Sequence, residues 1–337
     1  MGKIPTGSPA TTQAAPYRNL PKSKRPGPSD FCAKLVENAS SATLVSHLSA
    51  AATSFLAGYL EHDDPVQDPL QRLMLILKRM ISESEKLWEF PTRGVVLKCN
   101  EDLVAKIIRG NDDYTEYTSL QYLANYAPHI PAPKPHGLIK LDNVRIMFMT
   151  YLPSTTLEKV WSSLNHDNKV IIQHQLDDIF TDLRRLKYDG RGLGGVNGEG
   201  VKNDYMFSQG SRGTVNTVAQ FEDLQFSDGS GATTQWITFL RSFLPPPTEG
   251  LVFTHGDIKM ANIMVKNIDD GFYTLSGIID WETSGFYPEY FEASKLFILT
   301  MHSKEDWFAY LPPCISPARH PVGWLVNRLW DYTVNNS

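Results

Sequence analysis

The chain has 337 residues, of which 42% are hydrophobic and 20% are charged, and both values are typical of a soluble globular protein. At this length the sequence favours about two domains. The 32 basic and 37 acidic residues give a formal net charge of −5, which disfavours a general nucleic-acid-binding protein. The three cysteines are too few and too widely spaced for a disulfide framework or a zinc site, so we expect a reducing, cytoplasmic location.

The first part of the chain, residues 1–30, is rich in Pro, Ser, Thr and Lys and is predicted to be a disordered tail. Its start, MGKIPT, matches the loose pattern for myristoylation at Gly2, although a basic tail without a lipid explains the same residues. No segment has the ~20 consecutive apolar residues of a membrane span, so no stable membrane insertion is expected. Residues 31–86 are predicted to be a helical extension, because QRLMLILKRMI at 71–81 repeats apolar residues at helical spacing.

A change of pattern marks a predicted N-lobe at residues 87–152. The short apolar runs LWEF, VVLKC and LVAKII are separated by the turn signals PTRG and NED. This alternation predicts an antiparallel three-stranded meander over 87–108. A helix is predicted at 112–126 and a buried strand at 144–152.

Helical patterns dominate from Pro153 onward, so residues 153–337 are predicted to form a larger C-lobe. Two strand-like pieces, near 251–265 and 273–281, interrupt these helical patterns. Strands first and helices later predict an α+β fold with a small sheet lobe and a larger helical lobe.

A dense polar cluster lies between two apolar segments in FTHGDIKMANIMV, at 253–265. GIIDWE, at 277–282, is a second apolar strand, and it ends in the acid Asp280. Neighbouring strand ends would bring Asp257, Asn262 and Asp280 to one crevice. Their carboxylate and amide oxygens suit Mg²⁺, and phosphoryl transfer also needs a carboxylate that orients the attacking hydroxyl. The short spacing between Asp257 and Asn262 lets one loop supply both the base and a metal ligand.

A cation for nucleotide phosphates is also required, and Lys106 in the strand LVAKI is the natural candidate. A buried lysine needs a partner, which Glu116 on the following predicted helix can provide. Two alternatives stay open: Lys98 in VVLK is a competing phosphate-binding lysine, and Glu116 can instead cap its helix together with Asp113.

Two further patterns have non-catalytic interpretations. His255 is interpreted as a structural residue of the polar loop rather than as a general base. GRGLGG, at 190–195, matches the dinucleotide-binding pattern GxGxxG but follows a helix rather than a strand. We therefore predict a flexible loop at 190–195, near the acceptor site.

The motif HGD-x4-N followed by IDWE, with a strand lysine and a helix glutamate upstream, resembles the aminoglycoside phosphotransferase and choline kinase-like family. THGDIKMANIMV and GIIDWETSGFYPEYFE are especially similar to a fungal branch of that family. The resemblance runs from about residue 88 to 330. It implies a bilobed protein-kinase-like fold, with a small antiparallel-sheet N-lobe and a larger, mainly helical C-lobe, that uses ATP and Mg²⁺.

The resemblance also implies a role for each matching residue. Asp257 would be the catalytic base, and Lys259 would contact the transferred phosphate or Asp257. Asn262 and Asp280 would hold magnesium. Gly94 is the single glycine of the PTRG turn, which stands in place of a full glycine-rich loop. The implied nucleotide-binding residues are Lys106, Glu116, Gly94, Met149, Tyr151 and Leu152.

The sequence therefore predicts a Mg-ATP-dependent kinase that phosphorylates a hydroxyl of a small molecule. One alternative is a protein kinase, since D-x-K-x-x-N has the right spacing, but the chain contains no DFG and no APE motif. The other is a repurposed or non-catalytic nucleotide-binding protein, because a fold does not determine a function. The acceptor pocket is expected from residues 155–245 and 283–330, where no residue pattern identifies the acceptor.

Overall fold

The computed structural model describes residues 31–60, 68–110, 113–202, 214–226, 232–246, 250–269, 271–296 and 306–335. The predicted tail at 1–30 and its myristoylation pattern lie outside the described residues. The α-helices are α1 (Phe31–Asn38), α2 (Ala50–Ala57), α3 (Pro69–Glu83), α4 (Thr115–Tyr126), α5 (Leu157–Val160), α6 (His166–Leu183), α7 (Val218–Gln225), α8 (Thr234–Arg241), α9 (Phe291–Lys295) and α10 (Pro321–Asn335). The strands are β1 (Ala42–Ser46), β2 (Glu85–Phe90), β3 (Gly94–Lys98), β4 (Leu103–Arg109), β5 (Pro135–Leu141), β6 (Val144–Thr150), β7 (Thr155–Thr156), β8 (Leu251–Thr254), β9 (Ile263–Asp269), β10 (Phe272–Ile278) and β11 (Gly285–Pro288).

The N-lobe is built on a six-stranded antiparallel sheet in the order β1-β5-β6-β4-β3-β2. Strand β4 lies inside this sheet, where Lys106 is opposite Val96 of β3 and Met147 of β6. Its side chains alternate between two faces, as the period of a strand requires. We call the face that carries Leu103, Ala105 and Ile107 the outer face, and the face that carries Val104 and Lys106 the inner face.

Helices α1, α2 and α3 cover the outer face with apolar side chains. Helix α3 is well defined at its start, because Asp68 accepts backbone hydrogen bonds at the N-cap and Pro69 occupies the first turn. Its apolar stripe is buried, and Leu77 and Met80 are fully enclosed against the sheet. The inner face is covered by α4, whose Leu120 packs into the second, larger core.

Three strands of this sheet differ from the sequence-based expectation, and two of them, β1 and β5, were not predicted. Residues 31–86 are not wholly helical, because β1 pairs with β5 at the edge of the sheet and β2 already begins at Glu85. The link before β1 is fixed by Asp142, whose carboxylate accepts backbone hydrogen bonds from Ser40 and Ser41, both at 2.8 Å. This pairing joins segments about a hundred residues apart, so the extension is an integral part of the N-lobe sheet.

The C-lobe places a small sheet, β10-β9-β7, against the long helix α6. Two side chains of α6 fix the position of β10: Asn168 Oδ1 accepts the N–H of Tyr273 at 2.8 Å, and Gln175 Oε1 accepts the N–H of Leu275 at 2.9 Å. The hairpin of β9 and β10 therefore has a rigid support. Both of its open ends, just before β9 and just after β10, lie beside the predicted polar crevice.

The glycine-rich segment 190–195 is held in place by hydrogen bonds and is not a free loop. Gly194 exchanges two backbone hydrogen bonds with Phe286 of β11, at 2.9 and 2.8 Å. A Cβ atom at Gly285 would collide with the carbonyl of Gly194, and Gly194 itself has φ of 108°. The glycines thus permit a close crossing of two backbones, which explains the motif without a nucleotide.

Across the described residues, every helix is too short or too polar to cross a membrane.

Candidate active site

The loop after β8 carries the first part of the site. Asp257 lies at the mouth of the crevice, where its carboxylate accepts a hydrogen bond from Lys259 Nζ at 2.6 Å. The Asn262 amide group donates to Asp257 twice, to the backbone oxygen at 2.9 Å and to Oδ2 at 3.1 Å. The predicted base, its neighbouring lysine and the predicted metal ligand therefore form one connected group.

His255 links this loop to the segment that carries Asp280. The ring is fully buried, and its Nδ1 accepts the backbone N–H of Asp257 at 3.2 Å. The other ring nitrogen, Nε2, then carries the proton and donates to the backbone oxygen of Ile279 at 3.0 Å. Burial lowers the pKa of His255 and favours this neutral form. His255 therefore ties the backbone of Asp257 to the backbone next to Asp280, in agreement with its interpretation as a structural residue.

Asp280 follows β10 in a strained backbone conformation, with φ of 68°. Positive φ is uncommon for a residue other than glycine and often occurs where a functional side chain must point in a fixed direction. The backbone N–H of Ile279 donates to the oxygen of Asn262 at 2.9 Å, so the two loops run side by side. Asp257, Asn262 and Asp280 therefore lie on the same side of the molecule, as the sequence predicts.

Lys106 reaches the same crevice from the inner face of the N-lobe sheet. Its ammonium lies 2.7 Å from Glu116 Oε2 and 2.5 Å from Asp280 Oδ1, with Glu282 Oε2 at 3.8 Å. Burial alone would lower the pKa of Lys106, but Glu116 and Asp280 outweigh it and raise the pKa. Burial likewise would raise the pKa of Asp280, yet Lys106 outweighs it and holds that pKa at about 2. Both groups are therefore charged at neutral pH.

The alternatives left open for the lysine and the glutamate differ from this arrangement. Lys98 is the last residue of β3, where it pairs with the exposed Glu101 at 2.6 Å. The carboxylate of Asp113 accepts the backbone N–H of Thr115 at 3.1 Å at the start of α4. Glu116 is therefore free of a capping role and turns toward Lys106.

The donor set of this crevice fits a hard divalent cation. Because the Asn262 amide nitrogen donates to Asp257, its carbonyl oxygen is the end left for a metal. One oxygen of Asp280 is taken by Lys106, and the other remains for coordination. Carboxylate oxygens of Glu116, Asp280 and Glu282 lie within 4.8 Å of one another. An all-oxygen set of this kind matches the preference of Mg²⁺.

The remaining predicted residues lie in the N-lobe sheet and at the link between the lobes. Gly94 is the first residue of β3, and a Cβ atom there would collide with the backbone oxygen of Ile107. Met149 is buried near the end of β6, and the backbone N–H of Tyr151 donates to the backbone oxygen of Asp102 at 2.8 Å. Leu152 then enters the link between the lobes and packs closely over Gly277.

Two residues of the site were not predicted. Glu282 is two positions after Asp280, and the Trp281 between them is fully buried. Both acids therefore face the crevice, where Glu282 lies near Lys106. The alternation of acid, tryptophan and acid in IDWE is the sequence signal for this arrangement. Glu292 is buried on α9, and its carboxylate accepts the backbone N–H groups of His255 at 2.7 Å and Gly256 at 3.1 Å. No local pattern marks Glu292, because its contacts depend on how α9 packs under the loop.

Comparison with known proteins agrees with this architecture. A sequence profile described as the phosphotransferase enzyme family matches residues 96–311. No curated protein matches the chain at the sequence level. An apo structure of a thermostable mutant of aminoglycoside phosphotransferase APH(4)-Ia is similar, with a TM-score of 0.52 and 15% identity over 75% of this chain and 83% of that chain.

Two further solved structures are similar at lower scores. A ternary complex of a thermostable APH(4)-Ia mutant with ADP and hygromycin B has a TM-score of 0.49 and 14% identity, over 75% of this chain and 84% of that chain. The gentamicin complex of APH(2")-IIa has a TM-score of 0.46 and 16% identity, over 76% of this chain and 83% of that chain.

The protein has the kinase-like aminoglycoside phosphotransferase fold. The family profile covers more than half of the sequence and includes the strand of Lys106, the loop of Asp257 and the acid Asp280. The chain therefore belongs to the phosphotransferase enzyme family.

Proposed function

We propose that this protein is a Mg-ATP-dependent kinase that phosphorylates a hydroxyl group of a small molecule. The observation that carries the proposal is the link through His255, which holds Asp257 and the Asp280 segment on either side of one buried ring. Such a pair supplies a carboxylate for the acceptor and a second carboxylate for the metal at neighbouring positions, as phosphoryl transfer requires.

The nucleotide side of the proposal depends on Lys106. Its ammonium is held by Glu116 within the cleft and is charged at neutral pH, so it can bind the α- and β-phosphates. We place the adenine beside the backbone of Met149, Tyr151 and Leu152, where β6 ends and the lobes connect. Gly94 would allow the β2–β3 turn to approach the phosphates.

The acceptor hydroxyl would lie against Asp257. The carboxylate of Asp257 accepts the hydroxyl proton as the acceptor oxygen bonds to the γ-phosphorus, and the bond from that phosphorus to the β–γ bridging oxygen breaks to release ADP. Lys259, 2.6 Å from Asp257, would stabilise negative charge on the transferred group. Magnesium held by Asn262 and Asp280 would neutralise charge on the β- and γ-phosphates.

We also propose a cytoplasmic setting, a small-molecule acceptor and no nucleic-acid partner. None of the three cysteines, all of which lie in the described part of the chain, forms a disulfide, as expected for a protein that folds under reducing conditions. The fold of a named aminoglycoside phosphotransferase supports a small acceptor but does not identify it.

The test is a screen for ADP release in the presence of Mg-ATP. The candidate acceptors are amino alcohols, sugars and aminoglycosides, and the products are identified by mass. With the best acceptor, Asp257→Asn is expected to lower kcat by about 10²- to 10⁴-fold, because the general base is lost. Asp178→Asn, on the exposed side of α6, is the matched control and should keep full turnover.

Three outcomes would contradict the proposal. Full turnover by Asp257→Asn would remove Asp257 from the chemistry. Transfer of labelled phosphate to proteins but not to small molecules would favour the protein-kinase alternative. ATP binding without turnover on any acceptor would favour a repurposed nucleotide-binding protein.

A further inference from the structure

Backbone hydrogen bonds hold the tip of the β2–β3 hairpin in place. The N–H of Arg93 donates to the oxygen of Phe90 at 2.9 Å, and the oxygen of Arg93 accepts the N–H of Arg109 at 2.8 Å. Gly94 follows at once, in close contact with the backbone of Ile107. The turn FPTRG contains one cation, and the position of its backbone is determined by β4 rather than by a flexible loop.

The side chain of Arg93 points into the cleft. Its guanidinium contacts the carboxylate of Glu282, which is 189 positions away in the sequence and belongs to the opposite lobe. The other oxygen of Glu282 lies 3.8 Å from Lys106 Nζ. The side chain of Glu282 is 13% exposed and that of Arg93 is 48% exposed, so the guanidinium stays open to a ligand while its partner is enclosed.

Arg93 offsets part of the negative charge that an incoming anion would meet in this cluster. Three carboxylates, from Glu116, Asp280 and Glu282, surround Lys106. Together with Lys106 alone they would leave an excess of two negative charges beside the position proposed for the phosphates. Arg93 reduces that excess to one, and its planar guanidinium offers the paired donors that match a phosphate group.

We propose that Arg93 is a phosphate-binding residue, which leaves Glu282 and contacts the β- and γ-phosphates when nucleotide binds. This inference rests on the proposed function, since it assigns a further residue to the same nucleotide site. Protein kinases cover the phosphates with a glycine-rich loop. This turn has only one glycine, and a cationic side chain takes over part of that contact.

The experiment compares binding of ATP and adenosine to the full chain by calorimetry at a fixed magnesium concentration. Arg93→Gln is expected to weaken ATP binding by about 10- to 100-fold, the range for hydrogen bonds to a charged group, and to leave adenosine binding unchanged. The matched control is Arg185→Gln, which removes an exposed arginine that also pairs with a carboxylate, at 2.9 Å. It should bind both ligands as the wild type does.

A second pair of variants tests the exchange of partners. In EDTA, Glu282→Gln should tighten ADP binding several-fold, because a negative charge is removed and Arg93 is released. This gain should be clearly smaller in the Arg93→Gln background, and an equal gain in the two backgrounds overturns the exchange.

The outcomes separate this inference from the proposed function. Unchanged ATP binding by Arg93→Gln, or an equal loss for ATP and adenosine, overturns the assignment of Arg93 alone. A selective loss in Arg93→Gln, together with no phosphate transfer by the wild type, supports the assignment and overturns only the proposed reaction.

Discussion

The two faces of the N-lobe sheet use the same strands for different purposes. On the outer face, Leu103, Ala105 and Ile107 of β4 pack against the three N-terminal helices in an apolar core. On the inner face, Lys106 lies between them in sequence, yet it is surrounded by carboxylates. The alternation of side chains along β4 therefore separates the apolar residues that stabilise the lobe from the charged residue that belongs to the candidate site.

This difference also separates two kinds of energy. Apolar burial on the outer face stabilises the fold at about 25 cal/mol per Å². On the inner face, burial works against the charged groups, and only mutual pairing keeps Lys106 and Asp280 ionised. Substitutions on the outer face should therefore change stability, and substitutions on the inner face should change binding and turnover.

The largest effect is expected on the outer face, from Leu77→Ala. Leu77 is fully buried against the sheet, so its truncation should reduce the free energy of unfolding by about 2–5 kcal/mol. Urea unfolding measures this loss, and kcat and KM below the melting temperature should not change. Leu70→Ala, an exposed leucine of the same helix, is the control and should stay within about 0.5 kcal/mol of wild type. If Leu77→Ala lowered kcat but kept wild-type stability, the assignment of stability to the outer face would be wrong.

On the inner face, Glu116→Gln should impair nucleotide use with little loss of stability. The substitution removes the charge that holds Lys106, while Asp280 still pairs with that lysine at 2.5 Å. We expect kcat/KM for ATP to fall by about 10- to 100-fold. Steady-state kinetics gives the ratio, and Glu83→Gln at the exposed end of α3 is the matched control. Equal kinetics for both variants would contradict the role of Glu116.

Under the loop that carries Asp257, Glu292 should make stability depend on pH. Burial raises its pKa to about 7, from an ordinary value of 4.5, despite the hydrogen bonds from His255 and Gly256. Between these values the folded state keeps a proton that the unfolded chain has released. Stability should therefore be highest below about pH 4.5, fall by on the order of 1 kcal/mol per pH unit between pH 4.5 and 7, and level off above pH 7.

Comparison with Glu292→Gln isolates this contribution. Glutamine cannot ionise, so the stability difference between variant and wild type should shift in favour of the variant from pH 5 to pH 8. Chemical unfolding over that range measures the difference. Parallel pH profiles for the two proteins would show that Glu292 does not titrate there.

The smallest effect is expected where the C-lobe touches α4. Lys202 pairs with Asp113 at 3.0 Å, and Glu199 accepts a hydrogen bond from Thr118, so the C-lobe contacts the helix that carries Glu116. Lys202→Met should raise KM for ATP by about two- to fivefold, the range for a partly exposed ion pair. The charge-swapped pair Lys202→Asp with Asp113→Lys should restore KM. If the charge-swapped pair does not restore KM, the contact acts through packing and not through the ion pair.

The site was more predictable from the sequence than the fold around it. Asp257, Asn262 and Asp280 lie in two short segments, and their spacing alone brings them together once two strands flank them. Glu292 and Arg93 were out of reach, because their partners lie 36 or more positions away and depend on tertiary packing. Local chemistry leaves a pattern in a sequence, whereas a contact between distant elements does not.

The same reasoning accounts for β1 and β5, two of the strands that the sequence analysis did not predict. Strand β1 is short and only its first residue is buried, so its apolar pattern resembles a loop. Strand β5 begins with Pro135 and contains Gly137, and both residue types disfavour a strand in sequence-based prediction. Pairing with β6 and β1 outweighs that local preference.

The apolar outer face of the sheet has a practical consequence for anyone preparing shortened forms of this protein. A fragment cut at residue 96, where the family similarity begins, would lack β1, β2 and all three covering helices. The hydrophobic side chains of β4 and β6 would then face water, and we expect such a fragment to aggregate during expression. A shortened form that stays soluble should instead begin ahead of Phe31, whose ring is buried in that layer.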